Sequence, residues 1–117
     1  MNTRERGSWG EQQALSFLYK KGYTLIKKNY RSRFGEIDLI VKNDEFIVFV
    51  EVKVRKNTDF AHAREFVGNK KQNKIQTTAN LYLSKREPNL QPRFDVIEIY
   101  TNSEILKPQI NHIENAF

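Results

Sequence analysis

Apolar side chains recur at every second position from Phe46 to Val54, where Phe46, Val48, Val50, Val52 and Val54 form an unbroken row. This period predicts a strand over about residues 45–55. Its opposite face begins with Ile47 and Phe49 and turns charged at Glu51, Lys53 and Arg55. A wholly solvated face would be polar from its start, so the change marks a strand that leaves a core and arrives at a cleft. Upstream, the helical spacing of Trp9, Ala14, Phe17 and Leu18 predicts a helix from about Arg4 to Lys21, stopped by Lys20-Lys21-Gly22. A strand is expected from Tyr23 to Tyr30, a turn at Arg31-Ser32-Arg33, and a second strand from Phe34 to Lys42. Asn43-Asp44 reads as a hairpin break.

Beyond the third strand the pattern predicts a loop at 56–59, a short helix at 61–67 and a longer helix at about 70–85. Ile75, Thr78, Ala79 and Tyr82 face inward in the longer helix, and Lys70, Lys71, Gln72 and Lys74 crowd its start. Pro88 and Pro92 bracket a loop before a strand at 93–100, and a last short strand is expected around Ile110–Ile113. Helix, three meandering strands, helices and further strands make a central mixed β-sheet flanked by helices, an α/β class. The connection between the third and fourth strands is long enough for a crossover, which allows those two to pair in parallel. No repeat or linker divides the chain, so residues 1–117 are expected to fold as a single domain.

The composition narrows the classes of function. Twenty Lys and Arg against fourteen Asp and Glu give +6, which favours a polyanionic partner such as nucleic acid. Cysteine is absent, which excludes disulfides, thiolate metal sites and Cys nucleophiles. The longest fully apolar run, 46–50, is too short to span a bilayer and no apolar signal core follows Met1, so no membrane association and a cytoplasmic location are expected.

The acids carry the candidate chemistry. Counted outward from the Asn43-Asp44 turn, Asp38 and Glu51 lie at comparable distances on adjacent strands. Their carboxylates can therefore converge on one hard cation, with Mg2+ or Mn2+ the natural occupant and the Val52 carbonyl a further ligand. Lys53 shares the face of Glu51 and can stabilise charge building on a scissile phosphate. Arg31, Arg33 and Arg55 at the strand ends, with Lys71, Gln72 and Lys74 on the helix, offer a track for a phosphate backbone. Plain cross-strand ion pairs explain the same residues without catalysis. Glu11, in mid-helix, reads as solvated on its own pattern. His62 and His112, lone histidines in unrelated segments, are expected at the surface or in capping. Asp95 is either a buried partner for a nearby Arg or a residue behind the site.

These motifs resemble the YraN-like family of bacterial proteins, which is similar to Holliday junction resolvases and to the restriction-endonuclease-like (PD-(D/E)XK) nucleases. The resemblance runs over nearly the whole chain. It rests on Gly10-Glu11 with Ala14, Gly22-Tyr23, Asn29-Tyr30-Arg31, Gly35-Glu36-Ile37-Asp38-Leu39-Ile40 and Phe49-Val50-Glu51-Val52-Lys53-Val54-Arg55. Lys71 to Ile75, Arg93-Phe94-Asp95-Val96 and Asn115-Ala116-Phe117 complete it. It implies a restriction-endonuclease-like fold in which Asp38 and Glu51 are metal-binding acids, Lys53 the catalytic lysine and Glu11 an extra helix-borne acid of the resolvase type. Gln72 is a looser match to a polar helix residue of such nucleases. Ile37 stands where the superfamily motif has its proline. The leading expectation is a magnesium-dependent nuclease or a nuclease-derived DNA-processing protein, with branched DNA as a candidate substrate and a homodimer as a candidate assembly. The rivals are a non-catalytic nucleic-acid-binding module of nuclease-derived fold and an interaction protein whose acids are structural.

Overall fold

A computed structural model of the chain describes residues 2–56, 67–86, 89–101 and 107–117. The short helix expected at 61–67 lies, apart from Val67, outside the described residues, as do His62, Pro88 and the loop expected at 56–59 apart from Lys56, which ends the third strand. Among the described residues the chain forms two helices and five strands: α1 (Thr3–Lys20), β1 (Thr24–Ser32), β2 (Gly35–Lys42), β3 (Phe46–Lys56), α2 (Asn69–Ser84), β4 (Gln91–Thr101) and β5 (Gln109–Ile113). The strands make one sheet in the order β1-β2-β3-β4-β5. The first three pair antiparallel, β3 pairs with β4 in parallel, and β5 closes antiparallel on β4.

The alternation along β3 decides which helix covers which face. Val48 and Val50 pack with Ala14, Leu15 and Leu18 of α1, together with Leu39, Val41, Ile97 and Ile99. Ile47 and Phe49 point the other way and pack with Ile75, Ala79 and Tyr82 of α2. The mixed sheet thus lies between two helices, as the pattern predicts.

Local chemistry sets the element ends. Asn2 Oδ1 accepts the Glu5 amide at 2.9 Å, and Glu5 Oε1 accepts the Asn2 amide at 3.2 Å. This reciprocal cap satisfies two amides at the start of α1 and is worth about 1 kcal/mol. Gly22, at φ 93°, takes the left-handed conformation just beyond α1 that other residues adopt only with strain. Asn43 Oδ1 accepts the amides of Glu45 and Phe46 at 3.0 and 2.7 Å, which makes the β2–β3 turn where it was expected.

Two boundaries differ from expectation. The β1–β2 turn is Arg33-Phe34 rather than Arg31-Ser32-Arg33, because Ser32 Oγ accepts the Phe34 amide at 3.0 Å and Ser32 already pairs with Gly35. Pro92 lies inside β4 rather than in the loop. The β4–β5 ladder covers only Val96 to Tyr100, so the missing N–H of Pro92 falls on a stretch of β4 that β5 does not reach.

Candidate active site

Pairing between β2 and β3 ends at Leu39↔Val50. One step further along this register stand Asp38 and Glu51. On its other side β2 pairs with β1 at Lys28↔Leu39 and again at Tyr30↔Ile37, passing over Asn29 and Asp38. Asn29 has φ 51°, which takes it out of strand conformation. The ladder is interrupted on both sides of Asp38, and its carboxylate takes over a backbone role: the Val52 N–H donates to Asp38 Oδ2 at 2.8 Å. The sheet forks at this point, and the fork holds the acids.

Glu51 is buried and is the chief side-chain neighbour of the Asp38 carboxyl. Burial pushes the Asp38 carboxyl up to about 8, and the Glu51 contact and charge push the same way. The Val52 amide opposes the shift and the Glu11 charge adds to it. Two carboxylates in a half-dry cleft cannot both ionise without a nearby positive charge. Lys71, from the first turn of α2, places Nζ 2.9 Å from Glu51 Oε2. The same oxygen is buried and accepts no hydrogen bond, so it has a counter-charge beside it but no donor aimed along its lone pair.

Glu11 reaches the fork because α1 is drawn tight against β3. A Cβ on Gly10 would collide with Val54 Cγ2, so only glycine allows this approach. Asn29 Nδ2 donates to Glu11 Oε1 at 3.2 Å. Burial raises the Glu11 carboxyl above its ordinary value, against the effect of the Asn29 hydrogen bond, and the Glu36 and Glu51 charges add to the rise. A cleft of about 430 Å³ opens beside it, lined by Trp9, Glu11, Lys28 and Asn29 among others. A larger hollow of about 630 Å³ between Ile26, Ile47 and Tyr82 includes neither Asp38 nor Glu51, so size does not mark the chemistry here.

Among the described residues no group of three or more acids or histidines stands close enough to hold a metal ion. The site is a carboxylate pair with Glu11 at a longer range. Its donor set nevertheless suits a hard divalent cation: two carboxylates, one of whose buried oxygens is faced only by a lysine among the described residues, and a mutual repulsion that a cation would relieve. Mg2+ and Mn2+ take such oxygens and complete their shell with water and substrate.

The remaining predicted residues are spread around this fork. Lys53 lies two positions beyond Glu51 on the same face, half-buried and level with Glu98 of β4; among the described residues it forms no ion pair. Arg31 pairs with Glu36 at 3.5 Å on the surface, and Arg33 stacks 4.8 Å from the Phe34 ring centroid at the hairpin tip. Arg55 is half-buried at the far end of β3. The Lys74 side chain and Thr78 Oγ1 lie against Gly35, and Ser32 Oγ meets Thr78 Oγ1 at 3.0 Å, which seats α2 on the hairpin. Gln72 Nε2 donates to the Val67 carbonyl at 2.6 Å and so braces the start of α2. Val52 enters the site through its N–H.

His112 corrects the expectation of a surface or capping histidine. β4 pairs Ile97 with His112, which draws the ring into the sheet with its side chain 3% exposed and Nε2 2.7 Å from Asp95 Oδ2. Asp95 takes the first of its two expected roles. Arg93 donates to it through Nε and an Nη at 2.9 and 2.8 Å, and the Asn115 amide donates at 3.0 Å. Two features of the acid site went unread in the sequence. Asn29 holds Glu11, for which an asparagine inside a strand pattern was the available signal. Lys71 holds Glu51, for which the sequence carries no signal.

The likenesses of this chain agree among themselves. It is 47% identical over 118 residues to a UPF0102 protein of Clostridioides difficile, with the whole of both chains covered. A UPF0102 protein of Caldanaerobacter subterraneus is 45% identical over 119 residues, covering 100% of this chain and 98% of the relative. One from Syntrophomonas wolfei is 44% identical over 116 residues, covering 97% and 98%. Residues 10–99, which contain Glu11, Asp38, Glu51, Lys53 and Lys71, match the family described as Uncharacterised protein family UPF0102. On a family match spanning most of its length and relatives aligned nearly end to end, the chain belongs to the UPF0102 family, the YraN-like group of its sequence resemblance.

Proposed function

We propose that this chain is a divalent-metal-dependent nuclease of restriction-endonuclease-like fold that hydrolyses DNA phosphodiester bonds. The observation that carries the reading is the meeting of half-buried Asp38 with buried Glu51 at the fork, where the two acids repel and an exposed lysine supplies the counter-charge. Asp38 and Glu51 would hold Mg2+ or Mn2+, with the Val52 carbonyl and Glu11 as further oxygens. Bound there, the ion supplies Lewis-acid polarisation of a phosphodiester and a more acidic water. Lys53 stabilises the charge that builds on the phosphate. Arg31, Arg33, Arg55 and Lys74 hold the flanking backbone, in keeping with the net charge of +6. Gln72 contributes by fixing the start of α2. A four-way junction offers two equivalent strands, which suits a homodimer presenting two such sites.

The test incubates purified protein with linear, single-stranded and four-way-junction DNA, with and without Mg2+ or Mn2+. Metal-dependent cutting is expected, reduced about 100-fold or more by Lys53→Ala. Binding without cutting, unchanged by that substitution, would replace the enzyme with a non-catalytic nucleic-acid-binding module. A chain that binds no DNA at low salt is neither.

A further inference from the structure

The start of α2 is built against the usual rules of helix stability. Its N-cap is Gly68 with no side-chain bond, and its first turn holds no acid. Lys70 and Lys71 stand there instead, at the end where the helix dipole already concentrates positive charge. The first-turn lysines cost α2 some stability, and Lys71 turns its charge to the fork. The contact they make is the Lys71 ammonium on Glu51.

That contact is not built as a permanent ion pair. Glu51 is buried, but the Lys71 side chain is 54% exposed, and the oxygen it neutralises receives no aligned hydrogen bond. The Arg93–Asp95 pair shows what permanence looks like in this chain, with two aligned bonds between side chains that are 9% and 0% exposed. A lysine is a point charge on four flexible carbons and can leave without breaking a directional network.

Resting on the metal site proposed above, we infer that Lys71 is a displaceable counter-ion. Its ammonium neutralises the Asp38–Glu51 pair while no metal is bound, and a divalent cation takes its place. Loading then releases a positive side chain at the rim of the cleft, where it can take a substrate phosphate. Lys71 is in this sense a positioning residue that couples metal occupancy to the charge offered to DNA. Because ammonium and metal compete for one carboxylate, each must weaken the other by the same factor.

The experiment measures Mn2+ affinity of the full chain by electron paramagnetic resonance, without nucleic acid, at mildly alkaline pH and low salt. Lys71→Met and Lys71→Gln are expected to bind Mn2+ about fivefold more tightly than the wild type, the scale of a half-exposed ion pair. Lys70→Met, which removes the same charge one residue away, stays near wild type. In the unaltered chain, Mn2+ should raise the rate at which a water-soluble reagent acetylates Lys71; this readout decides the matter if the variants fail to fold. Unchanged or weaker Mn2+ binding by the Lys71 variants, with wild-type binding still abolished by Glu51→Gln, overturns the displacement and leaves the metal site standing. No Mn2+ binding by any form overturns both.

Discussion

Asp38 and Asp95 sit on β2 and β4 with β3 between them, nearly level, since Val50 pairs with both Leu39 and Asp95. Burial pushes both carboxyls up. At Asp95, hydrogen bonds from His112, Arg93 and the Asn115 amide outweigh burial and hold the group below its ordinary value. At Asp38 the chief neighbour is another acid, so its effect adds to burial, and a single amide opposes them. Burial therefore does not distinguish the two; the supply of donors does. The chain saturates Asp95 with aligned donors, but gives the Asp38–Glu51 pair one amide and one exposed lysine. A saturated acid and an under-supplied one thus differ in who donates to them, and the second is the candidate for a ligand.

Asp95→Ala should give the largest effect on stability. It strands the Arg93 guanidinium, whose side chain is 9% exposed, without the partner that raises its pKa. Removing one member of a buried pair costs about 3–5 kcal/mol, to be read from urea unfolding. Glu51→Gln in the same metal-free assay should cost far less, because the lysine it leaves is exposed and the new amide can still pair with Asp38. Equal losses from the two substitutions would erase the contrast.

The pH dependence of stability should separate the clusters next. The Asp38 carboxyl moves from an ordinary value of 3.8 to about 8 on folding. Its folded form favours the proton, so its contribution is complete below about pH 4, declines as pH rises and is gone above about pH 8. Asp95 behaves in the opposite way: its depressed value gives stability that is complete above the ordinary carboxylate range and lost in acid. Metal-free protein should lose stability on both limbs of a pH titration. Asp38→Asn flattens only the alkaline limb, by on the order of 1 kcal/mol once solvent screening of the cleft is allowed for. Saturating Mg2+ should flatten the same limb in the wild type.

The sequence reaches one of these clusters further than the other. The row from Phe46 to Val54 and the Asn43-Asp44 turn are local signals, and together they determine that Asp38 and Glu51 stand opposite and that Lys53 shares the Glu51 face. The fork is not local. It needs Asn29 at a positive φ and a carboxylate standing in for a ladder carbonyl at Val52, and neither leaves a periodic trace. The ordering of Ser32 within β1 escapes for the same reason, since a side chain closes that turn. Lys71 meets Glu51 only because α2 seats on Gly35, and His112 is buried only because Arg93 and Asp95 arrive from another strand. Alternation tells which face a residue takes; what it finds there belongs to the tertiary fold.

The smallest expected effect comes from a lysine at the saturated cluster. Lys21 Nζ lies 2.8 Å from His112 Nδ1, and its side chain is 39% exposed. An ammonium can only donate, so Nδ1 accepts and the ring proton sits on Nε2, facing Asp95. Asp95 by itself selects the same tautomer, because its carboxylate requires a donor from Nε2. Lys21→Met should therefore cost less than about 1 kcal/mol and leave the Nε2–H tautomer in place, as read from imidazole nitrogen shifts. A lysine is dispensable where Arg93 and His112 already supply the donors, but at Glu51 it is the only counter-charge in contact among the described residues. If Lys21→Met cost as much as Asp95→Ala, the Asp95 cluster would not be saturated, and the distinction between the two acids would lose its basis.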